Sequence, residues 1–194
     1  MKVVIFDSTE NGIKEWFWRR YMQARVGWRK FGASSWDDAA EAIGAAYRGA
    51  VMKLKPQHRA AFRLSEVQIW GDGASGLPMI AGKPMSEAFI RRIQVSVGPE
   101  SLVWFRMCSV LFGGKGQAFA ERTAKELGCR IAGHTHTIGV LQSGLYSLGP
   151  GESPHVSTWG PRDEVLAGDW TKLESGWREP RTIFCARMSL PVGW

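Results

Sequence analysis

The chain has 194 residues, 25 Lys and Arg against 18 Asp and Glu, ten tryptophans and three cysteines, which is enough for one domain with its own core. No apolar run approaches the roughly 20 residues of a membrane helix, and MKVVIFDSTE is too briefly apolar and too soon acidic for a signal peptide. Neither a span nor a leader is expected, and the expected location is cytoplasmic unless a non-classical route exports the chain. Cys108, Cys129 and Cys185 are odd in number and lack metal-ligand spacing, which does not suit a disulfide framework and fits a reducing compartment; no cofactor is expected.

Lys2 to Asp7, KVVIFD, is a compact apolar run closed by an acid, the pattern of a central strand of an α/β sheet. Asp7 then stands at its carboxyl end, able to face the crevice there or to cap the next segment. Between Ile13 and Phe31, aromatic residues alternate with Lys14, Arg19, Arg20, Arg25, Arg29 and Lys30, and the simplest reading is a helix packed by its aromatics with its cations in water. Ser35-Trp36-Asp37-Asp38 has the spacing of a capping box, and Ala39, Ala42, Ile43, Ala46, Tyr47 and Ala50 follow at helical intervals up to a stop at Pro56. Glu66 to Trp70 predicts a strand running into the loop Gly71 to Gly76, which lacks the glycine, lysine and hydroxyl spacing of a phosphate loop. Leu77 to Gly82 predicts a short hairpin or loop, and Met85 to Val95 a helix starting near Pro84 or Ser86.

Ser101 to Gly139 reads as strand, loop, helix and strand. SLVWFRMC is a doubly buried strand with Cys108 at its carboxyl end, and Gly113, Gly114 and Gly116 break it. Phe119, Ala120, Ala124 and Leu127 give the helix, Gly128 its cap, and the following strand ends near His134 and His136. From 140 to 181 the chain is rich in Gly, Pro, Ser and Trp without periodicity; Val140 to Leu148 suggests a hairpin, and Thr182 to Met188 a closing strand. The expectation is one α/β domain over 1–194, with a mainly parallel central sheet, helices on both faces, and the strands ending at Asp7, Trp70, Cys108 and Gly133 as neighbours. Ligands of such sheets bind outside the carboxyl ends of the strands, where Asp72, Cys108, His134 and His136 would all look.

Residues 1–60 hold 11 cations against 6 acids, whereas 129–194 hold 6 of each. An acidic protein surface or a polyanion suits that excess, and Arg19, Arg20, Arg25, Arg29 and Lys30 are the expected partner-binding residues. A protein partner is preferred to nucleic acid, because no nucleic-acid motif accompanies the charge.

The order of Gly71-Asp72-Gly73 and Met107-Cys108-Ser109, each at a strand end, resembles the caspase-like fold of the caspase, gingipain and self-processing toxin group of cysteine peptidases, and related bacterial caspase-like domains. The resemblance covers about Lys2 to Gly139. It implies a three-layer α/β sandwich, a base from a Gly-His-Gly strand end, and a nucleophilic cysteine at the end of a following strand. Here Asp72 stands where that histidine belongs, 36 residues before Cys108, against about 50 in caspases. Without perturbing neighbours a carboxylate ionises near about pH 3.9 and a thiol near about 8.5, so an aspartate is a poor base for a cysteine, and its charge disfavours the thiolate. The resemblance therefore implies a degenerate peptidase-like domain, a protein-binding or structural component of an assembly. The alternative is an active cysteine hydrolase in which His134 or His136 serves Cys108 and Asp72 orients the ring. A His134-x-His136 metal site, with His155 or Asp72 as third ligand, is weaker still because it lacks a glutamate base. No metal is expected.

Overall fold

The computed structural model describes residues 1–9, 27–154, 159, 181–185 and 190. The first apolar run is strand β1 (Lys2–Asp7). It is followed by β2 (Arg29–Ala33), helix α1 (Trp36–Val51), the one-turn helix α2 (Pro56–Arg59) and β3 (Glu66–Trp70). Three short strands come next, β4 (Asp72–Ala74), β5 (Leu77–Ile80) and β6 (Lys83–Pro84), then helix α3 (Glu87–Ile93) running into a 3-10 turn over Gln94–Ser96. The chain continues through β7 (Leu102–Arg106), α4 (Gly113–Leu127), β8 (Arg130–His134), β9 (Leu141–Gln142), β10 (Leu145–Leu148) and β11 (Ile183–Phe184).

Six strands form the main sheet in the order β10-β8-β7-β3-β1-β2. Every neighbouring pair is parallel except β10 on β8. The parallel strands thus have the doubly wound order 2-1-3-4-5, and β1, β3, β7 and β8 are neighbours, as their apolar runs predict.

Side chains alternate across this sheet. Val3, Ile5, Val67, Ile69, Val103, Phe105 and Ile131 face one way and pack against Ala39 and Ile43 of α1, Phe89 and Ile93 of α3, and Phe119 and Ala124 of α4. The small residues of α1 let it lie close. Its Ser35 cap accepts from the Asp38 amide at 3.1 Å, while the Asp38 carboxylate reaches back to the Ser34 amide at 3.1 Å. The opposite face holds Val4, Trp70, Trp104, Ala132 and Leu145, under Trp28, Ile183, Cys185 and Leu190.

Several expectations change. Arg29 and Lys30 lie in edge strand β2, not at the end of a helix, and Arg19, Arg20 and Arg25 fall outside the described residues. Pro56 opens α2 rather than closing α1. Gly113, Gly114 and Gly116 sit inside the first turn of α4. Asp72 belongs to a strand, because β4, β5 and β6 make an antiparallel meander of their own. β9 and β10 do not pair with each other: β10 joins the main sheet, and β9 pairs with β11 in a separate ribbon.

On the face opposite α1, α3 and α4 lies a buried polar chain. Arg106 is fully buried, its guanidinium carbon 4.0 Å from the ring centre of Trp70 and 4.3 Å from that of Trp104. It donates to Gln142 Oε1 (2.9 Å from Nε), to Gln68 Oε1 (3.3 Å) and to the carbonyl of Cys185 (2.8 Å). Gln68 in turn donates to Glu66 at 2.7 Å, and Glu66 pairs with Lys2 at 2.9 Å. A cation removed from water is tolerated where its donors are satisfied and aromatic faces flank it. Arg106→Leu would take these donors from the Gln142 oxygen and the Cys185 carbonyl, at about 1–3 kcal/mol each, while Gln68 Oε1 keeps the Trp70 indole N–H at 3.3 Å. A loss of at least about 2 kcal/mol in urea unfolding is therefore expected, and an unchanged midpoint would show the cluster to be energetically idle.

Candidate functional site

Three strand ends meet around Cys108. On one side, β3 passes through Gly71 into β4, which lies so close to the end of β7 that a Cβ on Gly73 would stand 2.6 Å from the carbonyl oxygen of Cys108 and 2.9 Å from Met107 Cβ. Glycine is required there by close approach, not by an unusual φ. Asp72, the residue before it, is half-buried and paired with Met79 across the meander.

On the other side lies the segment after β8. Ser109 takes a left-handed φ of 51°, uncommon for a residue with a side chain. The turn is pinned: the Ser109 amide donates to the carbonyl of His136 (3.0 Å), that of Leu111 to His134 (3.0 Å), and that of Phe112 back to Ser109 (3.0 Å). Half-buried Cys108 thus sits where the chain leaves β7, with the Ile138 amide 3.5 Å from its sulfur and the Ile138 carbonyl 3.8 Å away. An N–H aimed at sulfur favours the thiolate and a carbonyl favours the thiol, so both forms have a partner at Ile138. The backbone thereby gathers Asp72-Gly73, Cys108 and His136 to Ile138 at one edge of the sheet.

The two histidines separate. His134, the last residue of β8, is fully buried on the side of Trp104, with ring centres 6.2 Å apart. Its Nδ1 lies 3.0 Å from the carbonyl of Ser143, so Nδ1 carries the hydrogen, and its Nε2 has no hydrogen-bond partner among the described residues. Burial pulls its pKa from the usual 6.5 to about 3, with the Arg106 cation and His136 pulling the same way and the Ser143 bond opposing them. Neither nitrogen of His134 is bonded to Cys108. His136 is half-buried beyond the strand, with Nδ1 2.9 Å from Thr135 Oγ1.

Asp7 is committed elsewhere. Its carboxylate accepts from the amide and hydroxyl of Thr9 (2.9 and 2.7 Å) and from the Ala81 amide at the β5–β6 turn (2.5 Å), so the meander is tied over the end of β1. Cys129 and Cys185 are buried, and burial pushes the Cys129 thiol up to about 12. Among the described residues no group of three or more His, Cys, Asp and Glu is placed to hold a metal ion, and His155 lies outside them. Arg29 is exposed and Lys30 half-buried on the edge strand β2. Sequence reasoning missed Arg106, Thr135, Gln142 and the Ser143-Gly144 turn; the one available signal was an arginine inside the otherwise apolar run SLVWFRMC.

His134 makes stability depend on pH. Its folded pKa of about 3 lies below the usual 6.5, so across that window the unfolded chain binds a proton that the folded chain does not. Stability is complete above the upper value and falls as the pH drops toward the lower one. Urea unfolding of the parent and of His134→Gln between the two limits should show a shallower slope in the variant. Equal slopes would place the acid sensitivity elsewhere.

No protein-family model, no curated protein and no solved structure matches this chain, so the site's chemistry rests on its own geometry.

Proposed function

We propose that the chain is a caspase-like, three-layer α/β domain whose cysteine-peptidase site is degenerate, and that it works as a protein-binding component of an assembly. One observation supports this: Gly73, the residue after Asp72, lies against the Cys108 backbone, so the strand end that resembles a Gly-His-Gly motif stands beside the cysteine. In that resemblance Asp72 takes the place of the histidine. A carboxylate accepts a thiol's proton poorly, and its charge opposes the thiolate.

Binding is supported by what the β9–β11 ribbon displays. Val140, Leu141 and Phe184 are 49 %, 40 % and 65 % exposed, and they adjoin: Phe184 pairs with Leu141, and the Cys185 amide donates to the Val140 carbonyl at 2.8 Å. This apolar strip begins two residues after Ile138, which holds the cysteine sulfur. Contiguous apolar surface rimmed by polar groups suits a protein partner, and Arg29 on β2 suits an acidic one. No described helix is long and apolar enough to cross a membrane.

The expected outcome is an absence of efficient proteolysis. Peptide libraries with Arg, Lys, Asp or Leu at the cleavage position, with and without a polyanion, should give no more turnover with the parent than with Cys108→Ala. Turnover that the substitution abolishes would overturn the degenerate assignment. It would favour instead a cysteine hydrolase in which His136 serves Cys108, a reading supported by the hydrogen bond from Ser109, the residue after the cysteine, to His136.

A further inference from the structure

The outer side of α4 borders a cleft that lies across the sheet from the β9–β11 ribbon. Lys115, Ala118, Phe119 and Arg122 follow at helical spacing and form one stripe along it, with the two cations about 10 Å apart along the axis. Lys115, Ala118 and Arg122 are exposed, and Phe119 is buried beneath them. The turn between β4 and β5 makes the facing wall, with Ser75 and Leu77 at its lip, and the space between is about 410 Å³. That wall is fastened to the start of α4. The Ser75 hydroxyl donates to the carbonyl of Phe112 (2.5 Å) and the Gly76 amide to that of Val110 (3.0 Å). Gly76, at φ +69°, packs so closely that a Cβ would stand 2.7 Å from the carbonyl oxygen of Lys115. The cleft is therefore pre-formed, and a ligand need not order it.

Its electrostatics are one-sided. Among the described residues, the charged groups lining it are Lys115 and Arg122, and neither has an acidic partner there. The exposed arginines of α3 differ: Arg91 pairs with Glu87, and Arg92 with Asp37 and Glu41. Past Arg122 the groove continues between α3 and α4, but there Glu87, Glu121 and Glu126 join Arg91 and Lys125, so the purely cationic stretch ends at Arg122. Between the two cations the surface is apolar, with Leu77 47 % exposed beside Ala118. Its complement is an apolar side chain flanked by two carboxylates. Single-stranded nucleic acid matches less well, because Phe119, the aromatic ring lining the cleft among the described residues, is 3 % exposed and offers no face for a base to stack on.

We propose that this cleft docks an acidic protein segment, with two carboxylates spaced to reach Lys115 and Arg122 and an apolar side chain between them on Leu77 and Ala118. The segment is short, because an acidic chain running on toward α3 would meet Glu87, Glu121 and Glu126. The partner chemistry of the assembly reading is thereby specified, at a surface independent of the state of Cys108.

The probe is a phage-displayed library of random dodecapeptides selected on the immobilised full chain, with the enriched peptides then titrated in solution. They should carry more Asp and Glu than the starting library, with an apolar residue among the acids. Lys115→Gln and Arg122→Gln should each weaken their binding about threefold, and together about tenfold. Lys125→Gln, in the mixed-charge groove, should leave it unchanged. Binding should fall as salt is raised, and fall less steeply in the double variant. All three positions are exposed, so thermal midpoints should match the parent. A library yielding no peptide whose binding depends on Lys115 and Arg122 would overturn the assignment. So would an equal loss with Lys125→Gln, which would make net charge the cause, or tighter binding of an oligothymidylate at the same two cations. Peptides indifferent to Lys115 and Arg122 but lost on Phe184→Ser would put the docking surface on the β9–β11 ribbon, so that the protein-binding reading stands and this cleft fails. No binder at all would count against both.

Discussion

A buried guanidinium is the constraint on which the rest of the structure depends. Arg106 is stacked between Trp70 and Trp104, and its donors go to Gln68, Gln142 and the Cys185 carbonyl. These partners come from β3, β9 and the residue after β11, so a single side chain ties two strands of the sheet to the ribbon that crosses its back. It also stands two residues before Cys108. The strand that delivers the cysteine is thereby held from the face opposite α1, α3 and α4, while Phe105 and Met107 are held by the core on the other. Burial, with a smaller contribution from the same cation, keeps His134 neutral, which removes that histidine from acid-base work near neutral pH.

The opening at the strand ends is shaped by what has been laid over it. Doubly wound sheets offer a crevice where the strand order reverses, here between β1 and β3. In this chain the β4-β5-β6 meander is tied to that point through Asp7 and the Ala81 amide. The candidate site is consequently displaced by one and two strands, to the ends of β3, β7 and β8. Close packing of Gly73 on the Cys108 peptide follows from the same displacement, because the chain leaving β3 must cross the end of β7 to begin the meander.

The sheet's centre was legible in the sequence because strands buried on both faces are written as apolar runs, as in KVVIFD and SLVWFRMC, and because EVQIW alternates at a strand's period. Their adjacency, and with it the convergence of Asp72, Cys108 and His136, follows from alternation with helices. Edge strand β2 was not legible. In RKFGA only Ala33 is buried, and its cations looked like the end of an aromatic, basic helix. Nor could spacing distinguish the two histidines. Two residues apart implies one face in a strand, but β8 ends at His134, and His136 lies on the turn beyond it. The polar cluster was hidden because Gln68 and Arg106 read as interruptions of apolar strands, whereas together they form a satisfied network.

Residues 140 to 148 show why an irregular segment can matter more than a periodic one. Gln142 holds Arg106 through its side chain, Ser143 holds the His134 ring through its carbonyl, and Gly144 holds Thr135, the partner of the His136 ring, through its own carbonyl. The hydroxyl of Ser143 bonds Thr182, which leads into β11. Three consecutive residues thus connect the buried cation, the buried histidine and the crevice histidine, and anchor them to the back ribbon. Two of the three act through backbone oxygens, which leave no mark in side-chain identity or hydrophobic period. A pattern-free stretch between two short strands is therefore where the electrostatics of the back face and the geometry of the crevice become a single problem. A change in the register of that turn would move the Cys108 surroundings without touching any residue at the strand ends.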